Sequence, residues 1–462
     1  MKKFLGLTIV MLSLFVLAGT VRAETFEVNL SSSQEVPASG TSGKGKGIIV
    51  LNTTTNTITF TITFTNLSSA QTLSHIHSPA PIGVNAGVTV NFGTVGGTSG
   101  TISGSATVNA TIISHLRSGQ AYVNIHTSNF PGGEIRGQVA KPRPVDYDAD
   151  GKMDFSVWRF PIPTPTPPAI AQVTYYNLNS FDGSTTGVNF GDANTDFPAP
   201  GDYDGDGKTD IALYRQGTSA GADNFYLLLR SSDNTFQFVR WGVAGDQSVA
   251  RDYDGDGITD MAVFRRGAAV GDQAFWYIRQ SASGNVQRAV QWGTTGDPSV
   301  GTGDTPVPGD YDGDGKFDIA VYRFGGLSPN NTLIIQQSSD STTQLIAWGD
   351  FNSDYIVPGD FDGDGKYDIA AARTGATGTS PMVWFIRRSS GGSSARTFGI
   401  SSDSVTQGDY DGDGICDVSV YRNGPTTGSQ STFYWFGSFD NQPHQQVWGL
   451  RGDFPVNNFD AR

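Results

Sequence analysis

The sequence predicts an all-β chain: a small antiparallel β-sandwich followed by a β-propeller of six four-stranded blades, with a seventh left open. Three observations predict it. A nine-residue aspartate-rich stretch recurs six times at intervals near 50 residues, the period of propeller blades or arrays of similar units. Ile58 to Phe64 alternates Ile or Phe with Thr, the period-two pattern of a strand with one apolar face. With 59 glycines and abundant Thr, Ser, Val and aromatic residues in 462, the composition favours strands and turns over helices.

Lys2 and Lys3 precede an apolar run from Phe4 to Gly19, and Val21, Arg22 and Ala23 flank a cleavage position. Residues 1–23 therefore read as a secretory signal peptide cut before Glu24, with secretion or a cell-envelope location as the consequence. No cysteine lies near that position to take a lipid, and no later segment is long and apolar enough to span a bilayer. Cys416 is the single cysteine, so no intramolecular disulfide can form.

Charge divides the remainder. Residues 24–140 hold four Glu and four bases and are neutral, whereas 141–462 hold 40 Asp against 23 Lys and Arg, a net of −17. The domains are read as 24–140 and 141–462, with the joint near Lys141 to Pro144. An acidic chain without basic blocks is a poor partner for nucleic acid or anionic membranes.

In the first domain, short strands are expected at 47–51, 58–64, 88–92 and 121–126, separated by turn-rich segments. SHIHSPAPIGVNAG at 74–87 and LRSGQAYVNIHTSNFPGGEIRGQV at 116–139 resemble the CHRD domain, the module named after chordin. Pro79 and Pro81 depart from that pattern, standing where glycines are commoner. His75 and His77 share one face of an extended strand and His126 ends another, a set that could hold copper or zinc through neutral imidazoles. The arrangement is similar to the metal strands of copper/zinc superoxide dismutases, but a full dismutase ligand set is missing. The structural alternative is hydrogen-bonded histidines, with His115 beside an apparent turn. Glu134 and Arg136 read as a surface charge pair worth about 0–1 kcal/mol.

The repeated stretches begin at Asp146, Asp202, Asp252, Asp310, Asp360 and Asp409, and each is read as a calcium loop. Carboxylates at positions 1, 3, 5 and 9, the position-7 carbonyl and a glycine-made turn at position 6 bring hard oxygen donors together. The ligand sets are Asp146, Asp148, Asp150, Lys152 and Asp154; Asp202, Asp204, Asp206, Lys208 and Asp210; and Asp252, Asp254, Asp256, Ile258 and Asp260. The others are Asp310, Asp312, Asp314, Lys316 and Asp318; Asp360, Asp362, Asp364, Lys366 and Asp368; and Asp409, Asp411, Asp413, Ile415 and Asp417. The Lys and Ile members contribute carbonyls. Without a cation, four carboxylates in nine residues repel one another. An EF-hand is excluded, because its twelfth position needs Glu and here carries Val, Leu or Ala in a strand.

Each unit then gives a strand ending in Arg (Arg159, Arg215, Arg265, Arg323, Arg373, Arg422), an aromatic strand, and a strand closing on an aromatic-Gly pair. An Asp follows that pair at Asp196, Asp246, Asp297, Asp354, Asp403 and Asp453; with the Arg it reads as a framework pair. The region resembles the FG-GAP/VCBS repeats, the calcium-loop propellers also seen in integrin α-chain heads. FPVNNFD at 454–460 begins a seventh unit without its loop, either a strand that closes the ring or part of an incomplete blade.

The variable second connections (160–172, 216–224, 266–274, 324–331, 374–382 and 423–431) are expected on the face opposite the calcium loops, where binding would concentrate. The proline run Pro161 to Pro168 is the first of these. With His444 alone and no Glu after residue 140, no nucleophile-base grouping appears, and Cys416 reads as a packed side chain. The leading expectation is a secreted, calcium-stabilised, non-enzymatic binding or adhesion protein for an extracellular glycan or protein. The alternatives are a calcium-dependent polysaccharide-acting enzyme, a copper/zinc redox protein using the histidines, or a structural envelope component.

Overall fold

The computed structural model describes residues 23–456, apart from 33, 53, 81–83, 118–119, 141–144, 149–151, 162–170, 181, 207, 256, 282–285, 297–302, 328–329, 351–353, 412–414 and 439. Residues 1–22 of the segment 1–23 read as a signal peptide, the joint 141–144, most of the proline run, and Asp150, Asp256, Asp297 and Asp413 thus lie outside the described residues.

The first domain contains β1 (Ala23–Ser31), β2 (Lys44–Asn52), β3 (Thr57–Thr65), β4 (Gln71–His77), β5 (Val88–Asn91), β6 (Gly100–Thr107), α1 (Ala110–Arg117), β7 (Tyr122–Thr127) and β8 (Ile135–Ala140). Hydrogen bonding joins the strands in the order β5-β4-β7-β8-β1-β2-β3-β6. On β3, Ile58, Phe60, Ile62 and Phe64 are buried while the intervening Thr residues face out, as the alternation requires. The sheet folds over as a sandwich. Phe60 on β3 stacks on Phe92, which follows β5, at 3.8 Å between ring centroids, although β3 and β5 lie near opposite ends of the order. One apolar core draws on every strand and on Ile113 and Leu116 of α1. The helix starts where Asn109 Oδ1 accepts the Ile112 N–H at 2.9 Å, an N-cap, and it carries His115, which sequence placed beside a turn.

The second domain is six four-stranded antiparallel sheets. Blade two, typical of the set, runs through Asp196–Pro198, Ile211–Arg215, Asp223–Leu229 and Phe236–Val243. Its second strand is buried and its fourth largely exposed, so the sheets radiate from an inner edge. Blade one has Phe155–Arg159, Gln172–Leu178 and Thr185–Asp192, and takes its remaining strand, Phe454–Pro455, from the C-terminal region. The chain therefore closes a six-bladed ring, and Phe454–Pro455, where the seventh unit begins, is blade one's missing strand, with 457–460 outside the described residues.

The repeated Arg and Asp meet inside each blade. Arg215 Nε and Nη2 donate to the two oxygens of Asp196 at 2.6 Å each, across the register that sets Asp196 opposite Arg215. Arg265 with Asp246, Arg373 with Asp354 and Arg422 with Asp403 repeat this fork. Unit four corrects the sequence reading: Arg323 pairs with Asp304 and not Asp297. An insertion before Asp304 displaces the counting, which also accounts for the 58-residue spacing there. Arg159 pairs with Asp453 at 2.7 Å across the ring closure.

The aromatic-Gly landmark has a backbone cause. Gly191, Gly242, Gly293, Gly349, Gly399 and Gly449 all have φ between 85° and 113°, beside a register shift in the third and fourth strands. A left-handed bulge residue is most readily Gly. The aromatic itself ties blades together where it is Trp: the Nε1–H groups of Trp241, Trp292 and Trp448 donate at 3.2 Å to carbonyls of Tyr277, Ile334 and Tyr176 on the next blade.

Asp453→Ala removes the fork and the acceptor for the Leu450 N–H at the closure. It is expected to destabilise the propeller by about 2–4 kcal/mol, somewhat less than for a fully buried pair because Arg159 is 30% exposed. Thermal melting against the parent checks this; an unchanged midpoint would refute closure by that strand.

Candidate functional site

The aspartate loops sit where the first and second strands of each blade meet. Their anchor is position 9: Asp154, Asp210, Asp260, Asp318, Asp368 and Asp417 are each at most 1% exposed. One oxygen accepts the N–H of loop position 2, at 2.7 Å for Tyr147 and 2.9 Å for Tyr203, Tyr253, Tyr311, Phe361 and Tyr410. The other accepts an N–H from the turn between the third and fourth strands, given by Ser180, Ser231, Ser281, Ser338, Ser389 or Ser438. An oxygen accepting one such bond keeps a second lone pair, so these contacts leave the carboxylate able to ligate.

Positions 1 and 3 converge with position 9 or 5. Asp146, Asp148 and Asp154, then Asp252, Asp254 and Asp260, then Asp310, Asp312 and Asp318 place carboxylate oxygens within 4.8 Å of one another, as do Asp202, Asp204 and Asp206. At position 1, Asp310 also gathers the amides of Gly313 and Gly315 at 2.7 and 3.1 Å. Burial and the neighbouring carboxylates push several position-9 groups up: Asp260 and Asp368 to about 7, Asp318 to about 8, Asp417 to about 9. A hard cation among these oxygens would offset that cost, so the donor set fits calcium.

Sequence reasoning missed the serines. Ser231 and Ser232 hydroxyls donate to Asp206 and Asp204 at 2.8 and 2.5 Å, and Ser338 and Ser339 to Asp314 and Asp312 at 2.8 and 2.6 Å. Ser389 and Ser390 do the same to Asp364 and Asp362. The available signal was a Ser recurring 20 or 21 residues after position 9 in five units.

The loops are also joined to one another. The position-8 N–H of each donates to the position-1 carbonyl of the loop before it: Thr209 to Asp146, Thr259 to Asp202, Phe317 to Asp252, Tyr367 to Asp310 and Cys416 to Asp360, at 2.6–2.8 Å. Met153 donates to Asp409 at 2.8 Å and completes the circuit. Cys416 is half-buried, set against Gly359, and desolvation raises its thiol pKa.

The second connections leave the opposite ends of the strands, next to the Arg-Asp forks. A cavity of about 390 Å³ runs along the first strands of blades two, three and four. Phe197, Pro198, Val249, Ala250 and Pro306 give it apolar walls, and Gln216 and Arg266, which open two of the second connections, line it too. Its Asp246 is engaged with Arg265.

The first domain brings His75, His77 and His126, three of its four histidines, together on the face of the sheet turned away from the apolar core. His75 and His77 on β4 lie across from Asn124 and Tyr122 on β7, and Arg136 on β8 lies across from Asn124. That face is polar yet covered: His75, His77 and His126 are 7–8% exposed and Arg136 1%. His75 Nδ1 lies 3.2 Å from His126 Nε2, while Nδ1 of His77 and of His126 meets the carbonyls of Ala86 and Pro131 at 2.9 Å. Burial, then the neighbouring imidazoles, hold His75 down at about 4, and burial lowers His77 and His126 as well. His115 is apart, against Ser78 Oγ at 3.1 Å.

The expected surface pair of Glu134 and Arg136 is corrected. Glu134 is fully buried and accepts from the Ser68 amide, the Ser68 hydroxyl and the Thr127 hydroxyl at 2.6–2.9 Å. Arg136 lies 3.6 Å over the Tyr122 ring and donates to Asn85 Oδ1 at 3.2 Å. Buried Glu35, raised to about 7 by desolvation against the lowering influence of Arg136, is the carboxyl near that guanidinium.

If calcium holds the loops, EGTA should lower the melting transition of the propeller and excess Ca²⁺ should restore it, with Mg²⁺ far less effective because it dehydrates reluctantly. The transition of the first domain should not respond to calcium. Equal responses from the two domains would contradict a calcium frame confined to the repeats.

Residues 26–139 match the CHRD domain and residues 252–321 match an FG-GAP-like repeat. No curated protein matches the chain. Among solved structures it is similar to AofleA from Arthrobotrys oligospora, at 12% identity over 68% of this chain and 96% of that one, with a TM-score of 0.41. A triple arginine-to-alanine mutant of AofleA is similar at 14% identity over 65% and 89%, again with a TM-score of 0.41. The protein thus carries a CHRD domain followed by a six-bladed propeller that contains an FG-GAP-like repeat.

Proposed function

We propose that this is a secreted binding protein whose propeller is held by about six calcium ions and which recognises an extracellular glycan or protein on the face carrying the second connections. The observation that carries the reading is the cavity along the first strands of blades two to four, with apolar walls and Gln216 and Arg266 as polar groups from those connections. Pockets of this size and mixed lining suit ligands that need a few placed hydrogen bonds on an apolar floor. Residues that open variable loops on a closed frame can change from protein to protein without disturbing the forks beneath them. Calcium serves the frame in this reading: the cavity runs from the second connections along the first strands to Pro200, Arg251 and Pro308, just ahead of the aspartate loops.

Export follows from the leader read in residues 1–23 and agrees with the choice of cation, since extracellular calcium is abundant enough for weak sites of about 10⁻⁴–10⁻³ M. A catalytic reading has less support. The cavity's Asp246 is committed to an ion pair with Arg265, and a general acid or base needs a carboxyl or imidazole free to exchange a proton.

The test is a glycan and extracellular-matrix binding screen of the secreted chain with calcium and with EGTA. Calcium-dependent binding is expected, and Arg266→Ala combined with Gln216→Ala should weaken it about tenfold or more, the effect of losing one or two charged or neutral hydrogen bonds. The double variant should melt like the parent. Retained affinity in a folded double variant would place the ligand elsewhere.

A further inference from the structure

The polar face of the first domain has no part in that binding reading. Strand faces turned away from a core ordinarily meet water, yet β7 is buried on both sides along its whole length. One side is apolar, with Val123 and Ile125; the other carries Tyr122, Asn124 and His126, next to His75 and His77 of β4. Three imidazoles collected away from water need a physical reason.

Two of the rings are oriented by the backbone. With Nδ1–H of His77 donating to Ala86 O and Nδ1–H of His126 donating to Pro131 O, both present Nε2 as a bare lone pair. A carbonyl on the far nitrogen is the usual support of a metal-bound histidine. The two lone pairs have different neighbours. His126 Nε2 has His75 Nδ1 at 3.2 Å, whereas His77 Nε2 is buried with no hydrogen-bond partner. Donor atoms of all three rings lie within 4.8 Å of one another. Ligands about 2.0–2.1 Å from a tetrahedral ion are separated from each other by roughly 3.3–3.4 Å, so the 3.2 Å pair is already near that spacing.

We propose that His75, His77 and His126 form a tri-imidazole site for one divalent transition ion of the zinc and copper class. Neutral imidazole suits these ions and is a poor donor set for calcium, so the two domains hold different metals. His75 coordinates through Nδ1, which requires its proton to sit on Nε2 in place of the hydrogen bond to His126. That is a tautomer change with no net proton lost. Three protein ligands leave a further coordination position for water or a small exchangeable ligand, the arrangement of reactive rather than closed structural sites.

The test titrates the full-length mature chain, with excess calcium filling the aspartate loops, against Zn²⁺ alone and Cu²⁺ alone by calorimetry. One equivalent of at least one ion should bind. His77→Ala and His126→Ala should each weaken it 100-fold or more, and His115→Ala, outside the cluster, should bind as the parent does. Because a buried substitution can unfold the domain, the parent is also loaded with Cu²⁺ and its electron paramagnetic resonance recorded. Coupling to three imidazole nitrogens is expected. Uptake of neither ion by the parent, copper without nitrogen coupling, or parent-like affinity in folded His77→Ala would overturn the site. None of these outcomes bears on calcium or on the propeller's ligand.

Discussion

Six hydrogen bonds from loop to loop set the terms for the propeller. Each position-8 amide reaches the position-1 carbonyl of the preceding blade, and Met153 to Asp409 closes the circuit. The same aspartate that offers its carboxylate to its own loop therefore offers its carbonyl to the next. A loop held in shape by an ion presents that carbonyl correctly; a loop that opens withdraws it from its neighbour. An ion bound in the loops would be coupled to blade packing by this geometry, and a chain with one cysteine has no intramolecular disulfide to hold a large β structure together instead.

The forks at the other end of the strands have a complementary task. Asp196, Asp246, Asp304, Asp354, Asp403 and Asp453 are almost wholly buried, each paired with an Arg about a third exposed. They fix the first strand of every blade against the second at the end away from the aspartate loops. The −17 charge of the repeat region is thus spread over two devices, carboxylates gathered for a cation and carboxylates matched to guanidinium. Six divalent ions would bring it to about −5.

Much of this was legible because it repeats. A motif present six times gives the loop, the Arg, the aromatic-Gly landmark and at least six blades, since a residue needed by local geometry must recur in every copy, while the choice between six and seven rests on the pairing of Phe454–Pro455 with Phe155–Arg159. Counting failed at Asp297, where an insertion moved the functional aspartate to Asp304 and only the pairing with Arg323 shows it. The first domain has no repeat to average over. Its polar positions on β7 and β8 alternate with apolar ones and so read as solvent-facing; the covering contacts, such as Asn85 with Arg136 across 51 residues, are tertiary. For the same reason Glu134 and Arg136 looked like a surface pair. The short helix Ala110–Arg117 was hidden by Thr111, Ile112 and Ile113, β-branched residues that favour strands unless a cap such as Asn109 starts a helix.

The coupling of ion and ring is tested most directly by amide hydrogen exchange at Met153, Thr209, Thr259, Phe317, Tyr367 and Cys416 with saturating calcium and then with EGTA. All six amides should be strongly protected with calcium and should lose protection together when it is withdrawn, while Val123 and Ile125 in the first domain stay protected. Protection of the six that is indifferent to calcium, or that is lost at one loop without its neighbours, would contradict the account.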